Sequence, residues 1–258
     1  MLEKNAELRY FDAHFHYFDS KNSGFFDIND DFSWFACSCA HSEAEWLFQK
    51  DTPDNIIKAA GIHPQSCGFI DIKSWADYIE VLLKENKLAA IGEAGFDYFT
   101  NDFKSHKQEQ EEAWQIQLDL ALHYNKPLVI HCRKANEKLF EYSSELKKLP
   151  SVLFHSFMGS LVEADSLIKR GINCCFSFGK QMMNNNKKVI DCVKNLPLEN
   201  LLLETDAPFQ FLKGEKGTHL SEIKQIYLQA IKLRNENINS IQKFYTQIQS
   251  NFYNLYQI

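Results

Sequence analysis

A chain of 258 residues, 45% hydrophobic and 24% charged, is long enough for one large core, so one barrel-sized domain is expected over residues 1–258. A net charge of −6 excludes a broad basic face for long-range capture of nucleic acid, although bound divalent ions would supply local positive charge outside the formal count. No stretch has the length and apolarity of a membrane span, and residues 1–7 lack the basic and apolar blocks of a secretory signal, so a cytoplasmic protein is expected.

The first predicted strand, near 8–14, runs into Phe11-Asp12-Ala13-His14-Phe15-His16. At the end of an extended segment residues i and i+2 share a face, so both imidazoles can reach one ion. A second strand is expected near 32–37. A third, near 56–61, leads into Gly61-Ile62-His63-Pro64. Apolar residues at helical spacing (Ile72, Trp75, Ala76, Ile79, Leu82, Leu83) predict a helix over 72–86. The run near 88–93 closes on Glu93, and a second helix is expected over 109–124.

The runs near 127–131 and 151–155 end on His131 and His155. Arg133, two residues beyond His131, has a planar fork suited to phosphate, or it makes a salt bridge at a helix start. The run near 172–177 leads into Phe176-Ser177-Phe178-Gly179-Lys180, and the run near 200–205 is followed by Asp206. From about 220 to 258 two more helical patterns would seal the outside of the barrel.

Short apolar runs bounded by turn residues fit strands buried on both faces, as in a parallel sheet. Eight of them with helices between give the count of a (β/α)8 TIM barrel, slightly distorted, in the α/β class. His14, His16, Glu93, His131, His155 and Asp206 all fall at strand ends. A core hydrogen bond explains any one of these residues. It does not explain the set, because the C-terminal mouth of such a barrel is where functional groups gather. Seven scattered cysteines without Cys-x-x-Cys spacing read as reduced core thiols. His41, His106, His123 and His219 are expected on the surface or in the core.

Six segments in order now resemble one family: Asp12-Ala13-His14-Phe15-His16, Gly61-Ile62-His63-Pro64, Ile91-Gly92-Glu93-Ala94-Gly95-Phe96-Asp97-Tyr98, Ile130-His131-Cys132-Arg133, His155-Ser156-Phe157-Met158-Gly159 and Glu204-Thr205-Asp206-Ala207-Pro208. With Asn251-Phe252 near the end, the chain resembles the TatD metal-dependent deoxyribonucleases, within the amidohydrolase-like barrel superfamily. The resemblance implies two divalent ions: His14, His16 and Asp206 on one, His131 and His155 on the other, Glu93 bridging. Imidazole with carboxylate suits zinc or manganese, and magnesium would also serve. It further implies a DNA substrate, with Glu93 setting the metal spacing and Asp206 orienting and deprotonating the nucleophilic water. His63 falls in the substrate site, and Asp97 and Tyr98 fall beside it, where Asp97 alternatively caps a turn.

Departures from the family lie after the acidic motif. Phe209-Gln210-Phe211-Leu212-Lys213-Gly214-Glu215-Lys216 replaces the usual proline and Arg-Gly turn, leaving Lys213 or Lys216 as a phosphate contact. Phe15, Phe96, Tyr98, Phe99, Phe157, Phe178 and Phe209 lie close to strand ends and offer a base-stacking platform, or pack the top of the barrel. Two further readings stand beside the nuclease. One is a metal-dependent hydrolase of an ester, lactone or amide, and the other a scaffold that has kept a dead site, against which all six ligands are present. A monomer without protein partners is expected.

Overall fold

A computed structural model describes residues 8–28 and 33–258. The opening residues 1–7 and the predicted start of the second strand at 32 lie outside that range. Eight strands pair in sequence order into one parallel sheet. They are β1 (Tyr10–Phe15), β2 (Trp34–Ala40), β3 (Ile56–Ala60), β4 (Ala90–Asp97), β5 (Leu128–Arg133), β6 (Val152–Phe154), β7 (Cys174–Phe178) and β8 (Leu201–Leu203).

The sheet closes where β8 meets β1. Asp206 N–H donates to the His14 carbonyl (3.0 Å) and His16 N–H to the Ala207 carbonyl (2.8 Å). Asp12 staples the same seam, accepting from Thr205 N (3.0 Å) and Thr205 Oγ1 (2.6 Å). Burial pushes the Asp12 carboxyl up to about 8, against those donors. Register shifts at Asp12/Phe15 in β1 and Ile91/Ala94 in β4 distort the barrel at two strands that carry site residues.

Three strands run further than their apolar runs suggest, among them β5, which continues past His131 to Arg133. β4 continues through Glu93 to Asp97, so Glu93 sits inside the strand and not at its end. Gly92 and Gly95 make this possible. Their φ values of 147° and 139° are rare for L side chains, and a Cβ on Gly95 would meet the His131 carbonyl oxygen at 2.1 Å. β4 therefore presses against β5 at the level of the site. β2 extends to Ala40, which puts His41 at its end.

The helix Ile72–Lys84 buries the six residues that its spacing singled out, and the helix Lys107–His123 packs on β4. At the chain end, the helices Ile223–Leu233 and Ile238–Tyr256 cover the seam as expected. Tyr227 Oη accepts from Phe11 N (2.9 Å), Tyr256 Oη donates to the Ala13 carbonyl (2.6 Å), and Asn251 Nδ2 donates to the Leu198 and Leu201 carbonyls (2.7 Å each). The tyrosine bonds fix β1, which carries His14 and leads into His16, and the asparagine bonds fix the start of β8. All seven cysteines are free, and burial pushes the Cys67, Cys132, Cys175 and Cys192 thiols up to about 12.

Candidate metal centre

The parallel barrel brings His14, His16, Glu93, His131, His155 and Asp206 to one point at its C-terminal mouth. None is more than 8% exposed, so the two carboxylates are largely desolvated. Glu93 stands in the middle. Its Oε2 lies 3.4 Å from His14 Nε2 and 3.5 Å from His16 Nε2. Its Oε1 lies 3.5 Å from His131 Nδ1 and 2.5 Å from His155 Nε2. Asp206 Oδ1 completes the first set, 3.5 Å from His14 Nε2 and 3.2 Å from His16 Nε2.

The separations of 3.2–3.5 Å fit metal ligation, whereas the 2.5 Å contact of His155 with Glu93 is that of a hydrogen bond and would open when an ion enters. Nitrogen and oxygen ligands of a tetrahedral ion, bonded at about 2.0–2.1 Å, lie about 3.3–3.4 Å from one another. His14 Nε2 and His16 Nε2 are 3.2 Å apart, as are His131 Nδ1 and His155 Nε2. Among the described residues, Glu93 Oε2 is a buried carboxylate oxygen with no hydrogen-bond partner. Lone pairs converging from imidazoles onto a bare carboxylate oxygen are a donor set for a cation. The groups His14–His16–Asp206 and His14–Glu93–His155 each place their ligand atoms within 4.8 Å.

Electrostatics agree. Burial disfavours the Glu93 carboxylate, but His155, His14, His63 and His131 outweigh it and hold Glu93 well below the usual range. Burial also disfavours a charged His155, and Glu93 and Glu204 overcome it, holding that imidazole well above its ordinary value. His16 is raised to about 9 against burial by Asp206 and Glu93. Cation binding would displace these protons, since imidazole ligates only when neutral.

Neighbouring groups fix the ligands. His131 Nε2 meets Asp97 Oδ2 at 3.0 Å, turning Nδ1 toward Glu93. Asp97 also accepts from Gln65 Nε2 (2.8 Å) and Phe99 N (2.9 Å), so it caps a turn and orients a ligand at once. Asp206 Oδ2 accepts from Gln210 Nε2 (2.8 Å), which also reaches Glu204 Oε1 and Ser156 Oγ.

The centre forms the floor of a cavity of about 710 Å³. His63 lines it. Its Nδ1 accepts from Gln65 N (3.2 Å) and burial holds it neutral, so the ring proton sits on Nε2, 3.8 Å from Glu93 Oε1. Arg133 also lines the cavity, but it ends a strand and does not start a helix. Its guanidinium lies 4.1 Å over the Phe99 ring, with Nη1 3.6 Å from Asp97 Oδ2.

Other expectations are corrected. Phe15, Phe96, Tyr98, Phe157 and Phe178 are buried barrel packing, and only Phe99 (55%) and Phe209 (46%) are exposed. Lys213 and Lys216 are exposed and outside the cavity lining. The buried lysine nearby is Lys180, 2.7 Å from both Glu215 and Glu222. His41, expected in the core or on the surface, lines the cavity with Nε2 3.0 Å from Glu93 Oε2. Sequence reasoning set it aside along with the orienting role of Asp97 and all of Gln210.

An eight-stranded parallel barrel with a donor cluster for cations at its C-terminal mouth defines the class. The family described as TatD related DNase matches residues 11–257, and the chain belongs to it. A protein of Dickeya dadantii (strain 3937) named 3′-5′ ssDNA/RNA exonuclease TatD is 33% identical over 177 residues, covering 67% of this chain and 64% of the relative. The match thus spans just under two thirds of that relative's length. Among solved structures, YJJV, a TatD homolog from Escherichia coli K12, superposes with a TM-score of 0.84 at 23% identity, covering 97% of this chain and 99% of that one. A TatD family hydrolase of Entamoeba histolytica gives 0.76 at 17% identity, covering 96% and 97%. Both likenesses concern the fold. Among the described residues, no helix is long and apolar enough to cross a membrane.

Proposed function

We propose that this chain is a two-metal nuclease that hydrolyses phosphodiester bonds of single-stranded DNA from the 3′ end. One observation carries the reading: the two oxygens of Glu93 face separate imidazole sets, His14 and His16 on one side, His131 and His155 on the other. A bridging carboxylate between two imidazole groups is the arrangement that holds a pair of ions. When bound, such a pair supplies a water nucleophile at neutral pH and Lewis-acid stabilisation of attacking and leaving oxygens.

The chain's own residues do the rest. Asp206 Oδ1 points at the first imidazole set while Gln210 holds Oδ2, so the carboxylate is locked where it can ligate and take a proton from the attacking water. His63 Nε2–H faces the centre and donates to a non-bridging phosphate oxygen. Arg133, braced on Phe99, contacts the phosphate on the β5 side. The exposed rings of Phe99 and Phe209 offer faces to unpaired bases, whatever their identity. The mouth is wide and lined by His63, Gln65, Arg133, Ser156 and Gln210, whereas a small ester or lactone calls for a closed apolar pocket. The 3′ polarity and single-strand preference rest on the name of the Dickeya relative.

The test is a chelator-stripped enzyme restored with single metals and given 5′-labelled and 3′-labelled single-stranded DNA beside a carboxylic ester. Stepwise shortening of the 5′-labelled strand, with early release of label from the 3′-labelled one, is expected. Ester turnover without DNA cleavage under the same metals would refute the substrate.

A further inference from the structure

His41 follows directly on β2, one of two strands between β1 and β6, with β3, that supply no metal ligand in the assignment above. Its backbone N–H is held by Glu45 Oε2 (2.8 Å), from the helix Glu43–Phe48 that starts beside it, and this fixes the main chain from which the ring projects. The ring centroid lies 5.1 Å from that of His16 and 4.8 Å from that of His63. Nε2 comes within 3.0 Å of Glu93 Oε2, the same oxygen that faces His14 and His16.

That approach lacks hydrogen-bond geometry. Among the described residues, both His41 Nε2 and Glu93 Oε2 are buried and without a hydrogen-bond partner. With the ring proton on Nδ1, Nε2 turns a lone pair toward a carboxylate oxygen, and that approach is stable when a cation lies between the two. Adjacent ligands of a five-coordinate ion, bonded at about 2.0–2.1 Å, sit about 3.0 Å apart, closer than the tetrahedral edge. His16, His41 and Glu93 place their ligand atoms within 4.8 Å of one another.

We infer that His41 is a further ligand of the ion held by His14, His16, Glu93 and Asp206, so that this ion has three imidazoles and two carboxylates. The inference rests on the two-ion reading above. A nitrogen-rich site of five protein ligands, with a sixth position left for water, suits a borderline ion of the zinc or cobalt class, whereas magnesium prefers oxygen ligands and its own waters. His41 thus makes the first site selective for a transition metal.

The test uses the whole protein, stripped of metal and loaded with Co²⁺, compared with His41→Gln and His41→Ala. In proton NMR, each ligating imidazole gives one strongly shifted, exchangeable ring N–H signal. Signals from His14, His16, His41, His131 and His155 are expected in the wild type, with one lost in each variant. Competition against a chromophoric chelator should show two Zn²⁺ bound in every case, one of them weakened at least ~10-fold in the variants, which is the lower end of the loss from removing an outer-shell partner. Signals from only the other four histidines in the wild type would overturn the inference even without a folded variant. So would two Zn²⁺ affinities unchanged by His41→Gln. Two bound ions with no role for His41 would leave the nuclease reading intact, whereas failure of the wild type to bind a pair of ions would overturn both.

Discussion

Replacing Asp97 by asparagine should weaken one metal site selectively. Asp97 accepts three hydrogen bonds, from His131 Nε2 (3.0 Å), Gln65 Nε2 (2.8 Å) and Phe99 N (2.9 Å). An asparagine keeps one acceptor oxygen and turns the other into a donor. If the oxygen stays with Phe99, the amide N–H₂ confronts His131 Nε2, which must then accept, and the imidazole proton moves to Nδ1. That atom faces Glu93 Oε1 at 3.5 Å and is the one that would ligate. Binding then requires removal of a proton from the wrong nitrogen. Losing an outer-shell partner costs about 10–100-fold in metal affinity, or about 1.4–2.7 kcal/mol. The loss should fall on the His131–His155 side and leave the His14–His16 side unchanged. Chelator competition resolving two binding steps measures it, and two unchanged affinities in a folded variant would refute the proposed orienting role.

Asp206→Asn should retain at least one ion and lose most turnover, because its carboxylate is a ligand of the first ion and the proposed base; measured DNA hydrolysis at the wild-type rate would remove it from the mechanism. Lys180→Met should lower stability by about 1–3 kcal/mol without abolishing metal binding. Lys180 is 1% exposed and pairs with Glu215 and Glu222, whose side chains are 35% and 17% exposed, which discounts the penalty of a fully buried pair. A urea midpoint equal to the wild type would contradict this. With Cys67, Cys132, Cys175 and Cys192 held up to about 12, those thiols stay protonated at pH 8 and should resist a disulfide-exchange reagent until denaturant exposes all seven cysteines. Rapid labelling of several thiols in the native protein would show that the core is not packed as described.

The eight strands were legible because strands buried on both faces read as unbroken apolar runs, and a polar residue at the end of such a run is conspicuous. That logic found His155 and Asp206, and it found His131 although β5 carries on to Arg133. It failed where a strand outlasts its apolar run. Ser38 interrupts Trp34-Phe35-Ala36-Cys37-Ser38-Cys39-Ala40, so the strand was expected to stop near 37; carried to Ala40, it puts His41 in the position that His155 holds after β6. Glu93 was found for a partly wrong reason, since it lies inside β4, where glycines let the strand press against β5. The double duty of Asp97 depends on the pairing of Gly95 with His131 across two strands, which no local pattern encodes. The aromatic platform was overcounted because alternation along a strand does not say which face meets a helix. Phe96 turns outward onto Trp114 and Tyr142, while Phe99 lies just beyond the strand in solvent.

The central claim is that Glu93 separates two ions. Anomalous difference scattering from a crystal of this protein loaded with Mn²⁺ tests it directly. Two peaks about 3.5–4 Å apart are predicted, one beside His14, His16 and Asp206 and one beside His131 and His155. A single peak, or two that do not share Glu93, would contradict the account.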